Sequence, residues 1–157
     1  GFIEKELEAV KVKSQRSDTY LDEGKAFNLK PDLCLKINDK SLIADTKYKI
    51  VFFDEKDPKK GISQNDLYQM VAYAVRFEVN EIILFYPNTI KQVQEEETEL
   101  IIKDALADGK EISIKAFQLP IINRELLENN LEMKTNLSEL FKSTREGLIN
   151  KLEKILK

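Results

Sequence analysis

Residues 30–49, KPDLCLKINDKSLIADTKYK, alternate around a single turn signal. Successive side chains of an extended chain point to opposite faces, so Leu33, Leu35 and Ile37 share one face and Asp32, Cys34 and Lys36 the other. Asn38-Asp39 carries turn chemistry. A second strand follows over 41–49, with Ser41, Ile43, Asp45, Lys47 and Lys49 on a common face and strand character running on toward Phe53. The pairing has three solutions. With Asn38-Asp39 as a two-residue loop, Asp32 faces Asp45. With the loop shifted by one residue, Asp32 faces Lys47. Either register collects two carboxylates and an ammonium on one patch, with opposed Cβ atoms ~5 Å apart. A three-residue loop breaks the arrangement.

The flanking sequence predicts what surrounds this hairpin. Phe2, Ile3, Leu7 and Val10 are spaced as on an amphipathic helix over 2–10. Residues 11–20 suit a polar strand, and Asp22-Glu23-Gly24 a turn. After the hairpin, 54–63 form a polar loop with Pro58 and Gly61. Ser63 or Asn65 then caps a helix running to about Glu78, with Leu67, Met70, Val71, Ala74 and Phe77 along it. Residues 81–86 (EIILFY), stopped by Pro87, have the continuous apolar character of a buried central strand. A polar connection over 88–97 leads to strands near 98–103 and 111–118, joined through Ala107-Asp108-Gly109-Lys110. Asn136-Leu137-Ser138-Glu139 resembles a capping box. It opens a last helix expected to turn Leu137, Leu140, Phe141, Leu148, Leu152, Ile155 and Leu156 inward. The order predicts a mixed α/β domain with the hairpin in the middle of the sheet.

Composition narrows the chemistry. The 157 residues include 25 Lys and Arg, 28 Asp and Glu, no His and one cysteine, Cys34. Without histidine, Ser–His–Asp and Cys–His hydrolysis and imidazole acid–base catalysis are excluded. One thiol excludes an intrachain disulfide and a multi-thiolate zinc site. Catalysis is left to carboxylates, Lys, Tyr, Ser/Thr or a metal held by oxygen. A net charge of −3 supplies no global field toward nucleic acid. No apolar run reaches the ~18 residues of a membrane span and no signal peptide opens the chain, so a cytoplasmic protein is expected. The start, Gly1-Phe2-Ile3-Glu4, lacks Met and is already in helical register, as in a fragment of a longer chain.

Two carboxylates this close repel one another and require a cation or a proton. A hard divalent ion, Mg²⁺ or Mn²⁺, is bound by one or two carboxylates plus waters and phosphate oxygens. Lys47 beside it is placed to orient or help deprotonate a water, or to stabilise charge on a phosphodiester under attack.

Pro31-Asp32 followed by Asp45-Thr46-Lys47 resembles the PD-(D/E)xK nuclease signature, and the predicted element order is similar to that fold's core. The wording of 30–49, of Asn65-Asp66-Leu67-Tyr68-Gln69-Met70-Val71-Ala72-Tyr73-Ala74, and of 81–88 resembles the nuclease subunits of McrBC- and LlaJI-like restriction systems, from about Phe2 to Leu119. The resemblance implies a single PD-(D/E)xK nuclease domain over 1–157, the C-terminal part of a longer chain. Asp32 and Asp45 would be metal ligands, with the Thr46 carbonyl a third, and Lys47 the catalytic lysine. Gln69 and Tyr73 match a Gln-x-x-x-Tyr element that sets a helix beside the site; an overlapping match is Gln64 and Tyr68. A first-helix glutamate, Glu4 or Glu8, would be a further ligand. Lys49, Lys59 and Lys60 would track DNA phosphates. The implied partners are DNA and a McrB-like GTP-hydrolysing AAA+ subunit. This chain has no G-x-x-x-x-G-K-[ST] loop and so binds no nucleotide by that route. Two other readings are a catalytically silent assembly module on the same fold and a stand-alone RecB-like repair nuclease.

Overall fold

The computed structural model describes residues 1–13, 18–49, 56–88, 97–104, 109–121 and 137–156. In chain order the elements are α1 (Phe2–Glu6), β1 (Val10–Lys13), β2 (Leu33–Ile37), β3 (Lys40–Thr46), α2 (Gln64–Phe77), β4 (Glu81–Pro87), β5 (Glu97–Asp104), β6 (Lys110–Leu119) and α3 (Leu137–Leu156). The six strands form one mixed sheet in the order β1-β2-β3-β4-β6-β5. The β1–β2, β2–β3 and β5–β6 pairs are antiparallel; β3–β4 and β4–β6 are parallel. The mixed α/β expectation holds, and the hairpin strand β3 is interior.

The hairpin adopts the first of its registers. Ile37 pairs with Lys40 and Leu33 with Ala44, which puts Asp32, just before β2, opposite Asp45. Asn38 turns the corner at a φ of 53°, a left-handed conformation that Asn tolerates. β3 ends at Thr46 rather than at Lys49 or beyond. The ladder with β2 ends at Leu33–Ala44: Asp32 N turns to the Asp45 side chain, and Pro31 beyond it has no amide hydrogen to donate. Lys47 N still donates to Phe85 O at 2.8 Å; Tyr48 then points fully into solvent. The extension toward Phe53 lies outside the described residues.

Two cores sandwich the sheet. On one face α2 covers Ile43, Ile82, Leu84, Ile112 and Ile114 with Met70, Tyr73 and Ala74. On the other, Ile3, Leu7, Leu152 and Leu156 of the N- and C-terminal segments cover Leu35, Leu42, Ala44, Ile83 and Phe85. Each fully buried aliphatic side chain contributes ~1.5–3 kcal/mol. β4 is buried from Glu81 to Tyr86, as its apolar run requires, although Glu81 brings a charge with it. Ser63 caps α2: its hydroxyl accepts from Asp66 N at 3.2 Å, and Glu78 closes the helix in the left-handed region at φ 54°.

Three further expectations change. The first helix stops at Glu6, because Leu7 is extended and Val10 already belongs to β1. Phe141 is 71% exposed rather than inward, since only the last turns of α3, from Leu148, lie against the sheet. Of the polar strand over 11–20, only Lys11–Lys13 are in β1, residues 14–17 lying outside the described set. Asn136 and the side chains of Leu137 and Leu140 also lie outside the description. Among the described residues no helix is long and apolar enough to cross a membrane.

Candidate functional site

The site forms where β3 ends and α2 passes over it. Alternation from the buried Ile43 sends Asp45 toward α2. Asp32 reaches the same place from the opposing strand. The two aspartates are stitched together through backbone: Asp32 N donates to Asp45 Oδ1 at 3.4 Å, and Thr46 N donates to Asp32 Oδ2 at 2.8 Å. The Thr46 hydroxyl donates to the same Asp32 oxygen at 2.5 Å. Thr46 thus enters the site through its amide and hydroxyl.

Lys47 follows Asp45 by two residues and leans back on it, with Nζ 2.5 Å from Asp45 Oδ2. Its ammonium also donates to Gln69 Oε1 at 2.7 Å. Gln69 Nε2 in turn donates to the Tyr73 hydroxyl at 2.9 Å. The amide is therefore fixed at both ends, oxygen toward the lysine. The i, i+4 spacing of Gln69 and Tyr73 on α2 makes this possible. The overlapping pair, Gln64 and Tyr68, bond to each other on the exposed side of the helix.

Electrostatics follow from burial. Asp45 is only 4% exposed, and desolvation pushes its carboxyl up from the ordinary value. Lys47 opposes that shift, and the charge of Asp32 adds to it. Burial, with the nearby Asp45 charge, raises the Tyr73 phenol to about 12. At neutral pH Tyr73 is a protonated phenol and no general base. Asp45 is thus a carboxylate with too little compensation for its surroundings, a place that favours added positive charge. The donors on hand are all oxygen: two carboxylates and Thr46, whose carbonyl is the expected third ligand and whose hydroxyl donates to Asp32. This suits a hard divalent ion that keeps several waters. Among the described residues, no group of three or more His, Cys, Asp or Glu is arranged to hold a metal.

The structure brings Asp32, Asp45, Thr46, Lys47, Gln69 and Tyr73 together. It does not bring in Glu4, which is exposed and binds the Gly1 ammonium at 2.8 Å, or the exposed Glu8. The segment carrying them packs Ile3 and Leu7 into the core on the far face of the sheet, away from Asp45. Lys59 and Lys60 are exposed in the turn before α2. Lys49 is exposed but reaches back to α2, where it pairs with Asp66 and donates to Ser63 Oγ at 3.0 Å.

Asp66 is the residue that reading the chain missed. It is 8% exposed, its Oδ1 is 3.9 Å from Lys47 Nζ, and its Oδ2 accepts from the Tyr86 hydroxyl at 3.3 Å. A signal was present: Asp66, Gln69 and Tyr73 are spaced i, i+3, i+7, one face of a helix.

The family model described as "McrBC 5-methylcytosine restriction system component" matches residues 2–87, a span that includes every residue of the site. No curated protein matches. Among solved structures, a chain from the assembly of Thermococcus gammatolerans McrB AAA+ hexamers with bound McrC is similar, at 15% identity and a TM-score of 0.58. The likeness covers 98% of this chain and 30% of that one, so this chain spans under a third of its length.

Proposed function

The chain belongs to the McrBC 5-methylcytosine restriction-system family, and from that premise we propose that it is the DNA-cutting domain of such a system, a metal-dependent endodeoxyribonuclease on a PD-(D/E)xK core. The observation that carries the reading is the convergence of Asp32, Asp45 and Lys47 at the end of one interior strand, with Gln69 holding the lysine. A silent assembly module has no chemical need for a buried, desolvated carboxylate locked to a lysine.

Asp32 and Asp45, with Thr46, would hold Mg²⁺ or Mn²⁺. Bound there, the ion would neutralise charge on the phosphodiester and make a water more acidic. The chain's own residues do the rest. Lys47, aimed by Asp45 and Gln69, donates to the attacking water or to oxygens that gain charge in the transition state. Tyr73 fixes the Gln69 amide and so the direction of that donation. Thr46 and the strand backbone hold the Asp32 carboxylate against rotation.

The partner follows from charge and likeness. A chain of net charge −3 is a poor DNA binder by itself. The similar solved chain comes from an assembly with AAA+ hexamers, and a McrB-like GTPase is the partner we propose for delivery to DNA. The setting would be cytoplasmic.

The test is Asp45→Asn, which keeps shape and removes charge, in the full-length protein assembled with its GTPase and supplied with GTP, Mg²⁺ and DNA. Cleavage is expected to fall ~10²–10³-fold, with assembly and GTP hydrolysis retained. Cleavage at the wild-type rate would remove the proposal.

A further inference from the structure

Beyond Thr46 the chain has left the sheet, yet Lys47 must be held to a fraction of an ångström to serve the site. Asp45 and Gln69 hold its ammonium, but the backbone there keeps one bond to Phe85 and runs into a fully exposed Tyr48, which leaves the strand end itself unanchored. Asp66 supplies the anchor. It lies in the first turn of α2, where an acidic side chain normally faces water beside the helix N-terminus. Here it is turned under the helix and buried. Its carboxylate meets the Lys49 ammonium and the Tyr86 hydroxyl through Oδ2, while Oδ1 faces Lys47. Lys49 also bonds Ser63, the residue that caps the same helix.

Resting on the nuclease reading above, we propose that Asp66 is a positioning residue for Lys47, and that Lys49 is its counter-cation in a clamp between the end of β3 and the start of α2, not a contact to DNA phosphate. The clamp acts twice on Lys47. It fixes the backbone by pinning the residue two positions on, and it offers Lys47 a second carboxylate opposite Asp45. Tyr86, on the neighbouring strand β4, buttresses Asp66 from beneath. Gln69 stands one helical turn further along the same face, so helix, lysine and strand end form one unit.

The clamp and the phosphate role separate experimentally through Lys49, whose side chain is 43% exposed. Single-turnover and steady-state cleavage would be measured for the assembled full-length protein on a duplex that the wild type cuts, together with the salt dependence of DNA binding. Lys49→Gln is expected to lower kcat by up to ~10²-fold, the cost of misplacing a reacting group by about an ångström. KM and the salt slope stay at wild-type values. Lys49→Arg restores most of the rate. Asp66→Asn gives the same loss, and the double variant is no worse than the poorer single one, as expected of two halves of one contact. The proposal is overturned if Lys49→Gln raises KM and reduces the salt slope by about 1 with kcat unchanged, if it changes nothing, or if the two losses multiply. Should Asp66→Asn fail to assemble, the Lys49 variants decide alone. Lys47→Ala is run alongside: full activity there would sink the nuclease reading itself, and the positioning role with it, an outcome distinct from a failed Lys49 arm.

Discussion

The Lys47 ammonium lies 2.5 Å from Asp45 Oδ2, on the same carboxylate that the proposed metal would use. Asp32 presses on that carboxylate from the other side through its amide, at 3.4 Å from Oδ1. The lysine therefore stands where a cation is wanted, and a metal bound there would compete with it for Asp45.

This competition makes metal binding testable apart from catalysis. Titration calorimetry with Mn²⁺ should show weaker binding for Asp45→Asn and for Asp32→Asn. Lys47→Ala, which removes the competing ammonium, should bind Mn²⁺ at least as tightly as the wild type while failing to cut. Unchanged affinity in both asparagine variants would show that the ion, if bound at all, sits elsewhere.

At the opposite end of the sheet, Glu81 begins β4 with an exposure of 8% and pairs with Lys40 and, at 3.1 Å, with Lys115. Burial pushes its carboxyl up, but the two ammonium groups outweigh burial and hold it below the ordinary 4.5. A carboxyl depressed by folding adds stability that is fully present above the unfolded pKa and is lost as pH falls through the folded one. Thermal midpoints measured from about pH 7 to about pH 3 should therefore fall faster below 4.5 for the wild type than for Glu81→Gln. Parallel curves would mean that the pairing contributes nothing.

How much was legible along the chain depended on range. The hairpin was readable because alternation and Asn38-Asp39 are local signals, and the structure takes one of the registers they allow. The place of Gln69 and Tyr73 was readable because helical periodicity is local too. Burial was less so. An exposed strand lysine costs under ~0.5 kcal/mol to remove, and position 47 resembles one in sequence. Its side chain is in fact 15% exposed, and truncating it leaves a buried carboxylate short of a partner, a loss of ~1–3 kcal/mol. Asp66 was hidden for the same reason. An Asp three residues after a capping Ser has an ordinary explanation, and only the packing of α2 over the end of β3 turns it toward two lysines. Phe141 failed in the other direction: it continues the apolar stripe of α3 beyond the part of the helix that meets the sheet.

Whether Asp32, Asp45 and Lys47 hydrolyse DNA once a GTPase partner delivers it is decided by one comparison. DNA cleavage would be timed for the full-length protein with its AAA+ partner, GTP and Mg²⁺, as wild type and as Lys47→Ala, with assembly checked by size-exclusion chromatography and the isolated wild-type protein run beside them. The expected result is cleavage by the wild-type assembly, little by the isolated protein, and a loss of ~10²–10³-fold in the Lys47→Ala assembly. A Lys47→Ala complex that assembles and cuts at the wild-type rate would contradict it.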